Sequence, residues 1–339
     1  MKERNKSIDA VKGIAIVLVM IGHVFVHNHM EDPYVYDAIR AVQMPLFMII
    51  SGYLCGQGRK IRDFKGYGKV LGKRAVSYLV PFFSWLTLMH LANLKEAYRT
   101  IFFQLDYGLW FLAVLFLLTF MVSTAQLFAS AFREKHPAVS EAVFWAVYAG
   151  MCCIPFLQLL KGNQFLSPNL LILYIPFYML GYMAGNYRKL KFVWGKKETG
   201  KIDCRDNLLI KIAVLAAALL FLWLTAVKNL NSMESRTDML IQMLASVLGS
   251  AAIIYGVCLL KEGKIKNIFA KLGEYTLEIY VIHYHFANML NIYDRQYQFY
   301  TLEGFLFVIA SFVAMSAATF CTVWLMKKVR ILDFLFFGK

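Results

Sequence analysis

Apolar residues run along this chain in about ten stretches of membrane-spanning length, separated by short polar segments. They cover residues 8–28, 36–56, 75–92, 108–130, 141–160, 169–186, 207–227, 238–260, 273–291 and 301–326. Stretches this long satisfy their backbone hydrogen bonds in a bilayer only as helices or as a closed barrel, and their continuous apolar character selects helices. The pattern predicts an all-α integral membrane protein, with residues 1–339 forming a single polytopic domain and no separate soluble domain. A basic start before an apolar run could mark a secretory leader. Lys12 interrupts that run and no small-x-small cleavage site follows, so residues 1–28 read as a retained first helix. Pro45, Pro81, Pro155 and Pro176 fall inside or at the ends of spans, where they can kink helices and open cavities.

Composition agrees: 59% of residues are hydrophobic and only 17% charged, far from a soluble domain. With both termini cytosolic, about 27 of the 36 basic residues fall on one side, and the positive-inside rule sets the orientation. The +15 net charge is thereby placed on the cytosolic face, where it favours anionic lipid. A multi-pass protein of the cell membrane follows, with membrane lipids as partners and no reason to expect nucleic acid. Cys55, Cys152, Cys153, Cys204, Cys258 and Cys321 lie in spans or at cytosolic ends, which argues against a disulfide framework. Two basic loops, 57–74 and 187–206 with its Lys196-Lys197 block, could grip polyphosphate or simply be solvated. External loops are short, the longest about 93–107, so the outer face carries no catalytic module. No internal repeat or pair of broken helices appears, which lowers the case for an inverted-repeat transporter.

Two ionisable residues interrupt the first span, and at membrane depth such groups are functional candidates. Lys12 and His23 are eleven residues apart, which on a helix places them on one face about 16 Å apart. Lys12 suits phosphate binding as a point charge near the cytosol. His23 suits proton transfer, because neutral imidazole is well matched to general-base work near neutral pH. The separation approximates the reach of a pantetheine arm, so a coenzyme A thioester fits the stripe. Asp9, one turn before Lys12, can pair with it, and Gly13 and Gly22 leave room for a ligand beside each residue. The alternative is that Lys12 snorkels to the headgroups and His23 is a hydrogen-bonded core residue. His23, His27 and Glu31 follow at intervals of four, but no HExxH motif occurs and no metal is expected.

In the ninth span Thr276, Tyr280 and His283 share a helical face, and His283 could bind an acceptor, assist proton removal or bond a neighbouring helix. Glu278 in the same span could pair with a basic residue. Trp110 at the outer interface is either an aromatic-belt residue or a sugar-stacking platform. Asp106 beside it is either a helix-start charge or an acceptor ligand.

Several of these segments resemble the membrane acyltransferase 3 family. Ile8 to Ile16 with Ile21-Gly22-His23 is similar to its opening helix, in which a basic residue precedes a catalytic histidine by eleven positions. Met44-Pro45-Leu46-Phe47 and Ile50-Ser51-Gly52-Tyr53 resemble its second helix, and Lys73-Arg74 with Pro81 its basic loop. Leu109-Trp110-Phe111-Leu112 resembles its tryptophan motif, and Leu272-Gly273 through Tyr280 and His283 its late signature. The subset it most resembles is the fucose 4-O-acetylase-like proteins. The resemblance implies transfer of an acetyl group from cytosolic acetyl-CoA to a hydroxyl of an extracytoplasmic or lipid-linked glycan, without a metal. It implies His23 as catalytic base and Lys12, Lys73 and Arg74 as coenzyme contacts, with Ser51 and Tyr53 lining a thioester tunnel. Gln43 stands where the family often carries histidine and Ser77 where it often carries a second loop arginine, so Gln43 can position a ligand but cannot act as a base. A transporter or flippase of a lipid-linked saccharide, using the same intramembrane polar groups, is the alternative function. Acyl chain length, acceptor identity and assembly into a homo-oligomer stay open.

Overall fold

The computed structural model describes residues 5–30, 33–105, 109–187, 208–227, 236–293 and 295–339. Glu31, Asp106 and the Lys196-Lys197 block lie outside these residues. Every regular element among the described residues is helical: α1 (Lys6–His27), α2 (Pro33–Gln57), α3 (Phe64–Met89), α4 (Leu94–Phe103), α5 (Trp110–Ser130), α6 (Pro137–Leu160), α7 (Pro168–Asn186), α8 (Leu208–Val227), α9 (Arg236–Leu259), α10 (Lys264–Glu274), α11 (Thr276–Ile282) with a 3-10 turn His283–Phe286, α12 (Leu302–Lys327) and α13 (Arg330–Phe337). Seven of them, α1, α2, α5, α6, α8, α9 and α12, are long and apolar enough to cross a membrane. The protein is therefore an all-α membrane protein. Charges on the first turns of α3 and the polar residues and prolines of α7 keep those two helices below the same threshold.

Two compact units make up the chain, Met1–Ile50 with Asn186–Leu325 and Ser51–Gly185 with Met326–Lys339. In the first unit, α1 begins at an Asn5 cap whose side chain accepts from the Ser7 and Ile8 amides at 3.0 and 3.3 Å. It ends in a Schellman arrangement, with Met30 N–H bonding the Phe25 carbonyl and His29 N–H the Val26 carbonyl while His29 takes the left-handed conformation (φ 53°). α10 lies against α1 at backbone contact. A Cβ on Gly13 would overlap the Phe269 carbonyl, and one on Gly273 would overlap the Asp9 carbonyl. Gly22 likewise faces the Gln43 side chain of α2. The space expected beside Lys12 and His23 for a ligand is thus taken by α10 and α2, because hydrogen in place of a side chain lets neighbouring segments close in. α2, α8 and α9 share a cluster around Ala41, Leu224 and Ala245, into which Gly249 fits against Val42 and Phe221.

The second unit repeats the glycine device. Gly52 of α2 sits against the Tyr178 backbone of α7, and Gly185 of α7 against the Tyr53 backbone of α2. α3 packs on α5, and α13 on α3, where Trp85 Nε1 donates to the Phe336 carbonyl at 3.3 Å. The stretch read as an internal loop, 57–74, is only partly one: Asp63 caps the Gly66 amide at 2.6 Å and α3 starts at Phe64. Ahead of it, Arg133 and Gln126 hold Ile61 through its carbonyl (2.8 Å) and amide (3.2 Å). The stretch read as an external loop, 93–107, contains α4, capped by Asn93.

One predicted span is not a continuous helix. Residues 273–291 comprise the end of α10, the seven residues of α11, the 3-10 turn and then irregular turns. α11 ends at His283, whose backbone N–H and ring Nδ1 both bond the Ile279 carbonyl. Beyond it the bonds skip three residues, from Ala287 N–H to Tyr284 O and from Met289 N–H to Phe286 O. Irregular backbone at membrane depth is tolerated only where protein or a cavity surrounds it.

Candidate active site

α1 and the segment after α11 place four rings in mutual contact within the first unit. His23 meets His283 edge to face at 5.0 Å between ring centres and 86° between planes. His27, one turn beyond His23, stacks on it at 5.6 Å and 14°. Tyr284 stands edge-on to both, at 5.5 Å from His23 and 4.5 Å from His27. The helix periodicity of α1 accounts for His23 and His27, and the break at His283 turns Tyr284 toward them. Asn28 holds this arrangement from behind. Fully buried, it donates from Nδ2 to the Val24 carbonyl at 2.7 Å and to the Ala287 carbonyl at 2.9 Å.

The nitrogens of the two central histidines are distinguishable. His283 Nδ1 lies 2.8 Å from the Ile279 carbonyl, which can only accept, so Nδ1 carries the proton and Nε2 presents a lone pair. That Nε2 is buried without a hydrogen-bond partner, as is His23 Nδ1. Gln43 Oε1, packed over Gly22 one residue before His23, is a third buried polar atom without a partner. Buried polar atoms are nearly always satisfied, so several orphans at one place make this cluster a candidate site.

Among the other sequence-predicted residues of this unit, Lys12 pairs with the buried Asp9 at 2.7 Å, in the i, i+3 relation expected of them. Glu278 is wholly buried on α11. Lys266 on α10, which sequence reasoning did not single out, is fully buried and paired at 2.9 Å with the exposed Glu262. Its spacing of four and seven from Ala270 and Gly273 was the available signal, since these form the buried face of α10. Tyr284 and Asn28 carried no sequence signal of a site; a tyrosine and an asparagine near a helix end have many uses.

Predicted residues in the second unit fall into two groups. Lys73 is exposed and continues a stripe with Lys65 and Lys69 along α3. Arg74, its neighbour, turns inward and donates to Tyr78 Oη at 3.0 Å, with Tyr178 and Cys55 also beside it. These companions are phenols and a thiol, not carboxylates, so the guanidinium charge is not neutralised by them. Tyr53 is buried and accepts from Gln57 Nε2, Ser51 is half-buried, and Tyr178 Oη meets Thr119 Oγ1 at 3.1 Å. Trp110 stacks on Tyr174 at 5.1 Å and 20°, which occupies one face of the indole. Asp106 lies outside the described residues.

The profile described as acyltransferase domain matches residues 5–327. Two Nodulation protein NolL sequences are similar over part of the chain. That of Sinorhizobium fredii is 37% identical over 103 residues, 28% of this chain and 27% of that protein. That of Mesorhizobium japonicum is 39% identical over 93 residues, 25% of this chain and 24% of that protein. The matched region thus spans about a quarter of the length of each relative. No solved structure matches.

Proposed function

Because the chain belongs to the membrane acyltransferase 3 family, we propose that it is an O-acetyltransferase of the cell membrane. It moves an acetyl group from cytosolic acetyl-CoA to a hydroxyl of an extracytoplasmic or lipid-linked glycan. The observation that carries the reading is the histidine cluster, in which His23 is held between His27, His283 and Tyr284 beside unpartnered polar atoms. His23 is the general base. As the acceptor oxygen bonds to the acetyl carbonyl carbon, the hydroxyl proton passes to His23, the carbon–sulfur bond breaks, and the proton leaves on the coenzyme thiolate. No metal enters this scheme.

Donor binding is assigned to the basic groups. Lys12, oriented by Asp9, and Arg74, whose companions carry no compensating carboxylate, suit the phosphates; Lys73 adds charge at the surface. Ser51 and Tyr53 line the thioester's path. Gln43 Oε1 and Trp110 bind the acceptor, with Asp106 a further acceptor ligand.

The test is reconstitution in vesicles with labelled acetyl-CoA and a lipid-linked glycan fraction, alongside mass spectrometry of surface glycans from cells with and without the protein. Loss of a general base costs about 10² to 10⁴ in rate, so His23→Ala should leave little transfer. Undiminished transfer by that variant, or glycans with unchanged acetylation, refutes the proposal.

A further inference from the structure

We infer that His283 is a positioning residue whose Nε2 lone pair holds His23 in the Nδ1–H tautomer and so makes His23 Nε2 the reacting nitrogen. The inference deepens the acetyltransferase reading and rests on it for the word "reacting"; the tautomer itself does not.

Three observations carry the inference. First, the Ile279 carbonyl fixes the His283 proton on Nδ1, leaving Nε2 able only to accept. Second, each of the two histidines in contact leaves one ring nitrogen buried without a partner, and the two are complementary: His283 Nε2 needs a donor, and His23 Nδ1 becomes one when it carries the proton. Third, the two rings are in contact at 5.0 Å between centres, a separation that an N–H···N bond between two imidazole edges also gives. His27 cannot serve the same purpose, because it lies nearly parallel over His23 and its ring nitrogens do not point at the His23 edge. Tyr284 also stands against His23, through its ring. Catalytic hydrogen bonds commonly tighten only when substrate binds, which matches two rings in contact whose nitrogens fall outside bonding geometry.

The chain that results runs from the Ile279 carbonyl through His283 to His23. In solution imidazole favours the Nε2–H form, which would leave His23 with its proton on the wrong nitrogen for a base acting through Nε2. An acceptor behind Nδ1 reverses that preference. It also stabilises the imidazolium that forms when His23 takes the hydroxyl proton, since Nδ1–H keeps donating to the same lone pair. A neutral imidazole plays here the part that a carboxylate plays in a serine protease triad, without placing a second charge in the bilayer. Nothing in the order of residues along the chain pairs these two side chains; the break after α11 does.

Solid-state NMR of the full chain in lipid vesicles, with ¹⁵N-histidine and His23 assigned by loss of its signals in His23→Gln, reads the tautomer directly. Wild type should show His23 and His283 both protonated at Nδ1. His283→Phe should shift His23 toward Nε2–H, and His283→Gln, which keeps an acceptor oxygen, should retain the Nδ1–H form. In transfer assays His283→Phe should lower kcat about 10²-fold, the lower end of what a positioned base contributes, with KM for acetyl-CoA unchanged and partial rescue in His283→Gln. An Nε2–H His23 in wild type, or an unchanged tautomer in His283→Phe, overturns the inference whatever the activity. If His283→Phe does not fold, the wild-type tautomer and His283→Gln decide it. Wild-type protein that shows the Nδ1–H form yet transfers no acetyl group refutes the functional reading and leaves the tautomer standing.

Discussion

Replacing Asn28 with leucine should loosen the His283 segment from α1. The side chain is fully buried and makes two donor bonds, to Val24 O at 2.7 Å and to Ala287 O at 2.9 Å. At the end of α1 the Val24 carbonyl is one of the last four that the helix cannot satisfy, because the Asn28 amide goes to Phe25. The second bond joins α1 to the residue just after the 3-10 turn. Leucine is close to asparagine in size but donates nothing, so the loss is that of two hydrogen bonds rather than of packing. Each such bond contributes about 0.5–1.5 kcal/mol net, which gives about 1–3 kcal/mol for the pair. Polar bonds between membrane helices average about 0.6 kcal/mol, which puts the lower end near 1 kcal/mol. Two measurements follow: thermal unfolding in detergent by tryptophan fluorescence, and amide hydrogen exchange of residues 283–291 relative to α5. The expected result is a lower unfolding midpoint, faster exchange confined to 283–291, and slower acetyl transfer. Wild-type exchange in that segment would show that Asn28 does not hold it, and the account of how His283 is kept beside His23 would fail.

Other consequences concern packing. Gly13→Ala and Gly273→Ala each force a methyl group into backbone on the facing helix, so each should cost about 1–3 kcal/mol, as overpacking does. The double variant should cost less than the sum, because one separation of α1 from α10 relieves both clashes; strict additivity in thermal unfolding would refute the shared crossing. Lys266→Met should be neutral or stabilising, since the buried ammonium has a partner, Glu262, that is itself exposed and compensates its desolvation poorly. A marked loss of stability in that variant would contradict this balance.

Helix identity and approximate extent were legible because hydropathy over twenty residues is a direct measure of cost in a bilayer. α1, α2, α5, α6, α8, α9 and α12 end within a few residues of the apolar stretches that foretold them. The stretch 273–291 is equally apolar, yet a helix there was a wrong expectation, because apolarity measures burial and not continuity. Helical spacing of the bonds ends at His283 and gives way to 3-10 spacing, a change no hydropathy average contains. The start of α3 was misplaced for the opposite reason: charge concealed about three helical turns, residues 64–74, that a cap at Asp63 begins. At the site, the Asp9–Lys12 pair was legible from local spacing alone. The contact between His23 and His283 was not, because it joins residues 260 positions apart and depends on that same break.

The glycines sharpen what the family motifs contain. Gly13 and Gly273 belong to the first and last of the segments that resemble the family, and Gly52 to another. In each case the glycine admits the backbone of another helix: Phe269 at Gly13, Asp9 at Gly273, Tyr178 at Gly52. The residues beside them are the candidates for chemistry: Lys12 before Gly13, and Ser51 and Tyr53 around Gly52. A lysine next to such a glycine is carried on a helix that cannot shift without a backbone clash, so its position is fixed by packing rather than by its own flexible stem. The same holds for α11, which follows Gly273 and therefore starts from a point anchored on α1, the helix that carries His23. The short motifs thus pair a packing residue with a candidate for chemistry, each within its own compact unit.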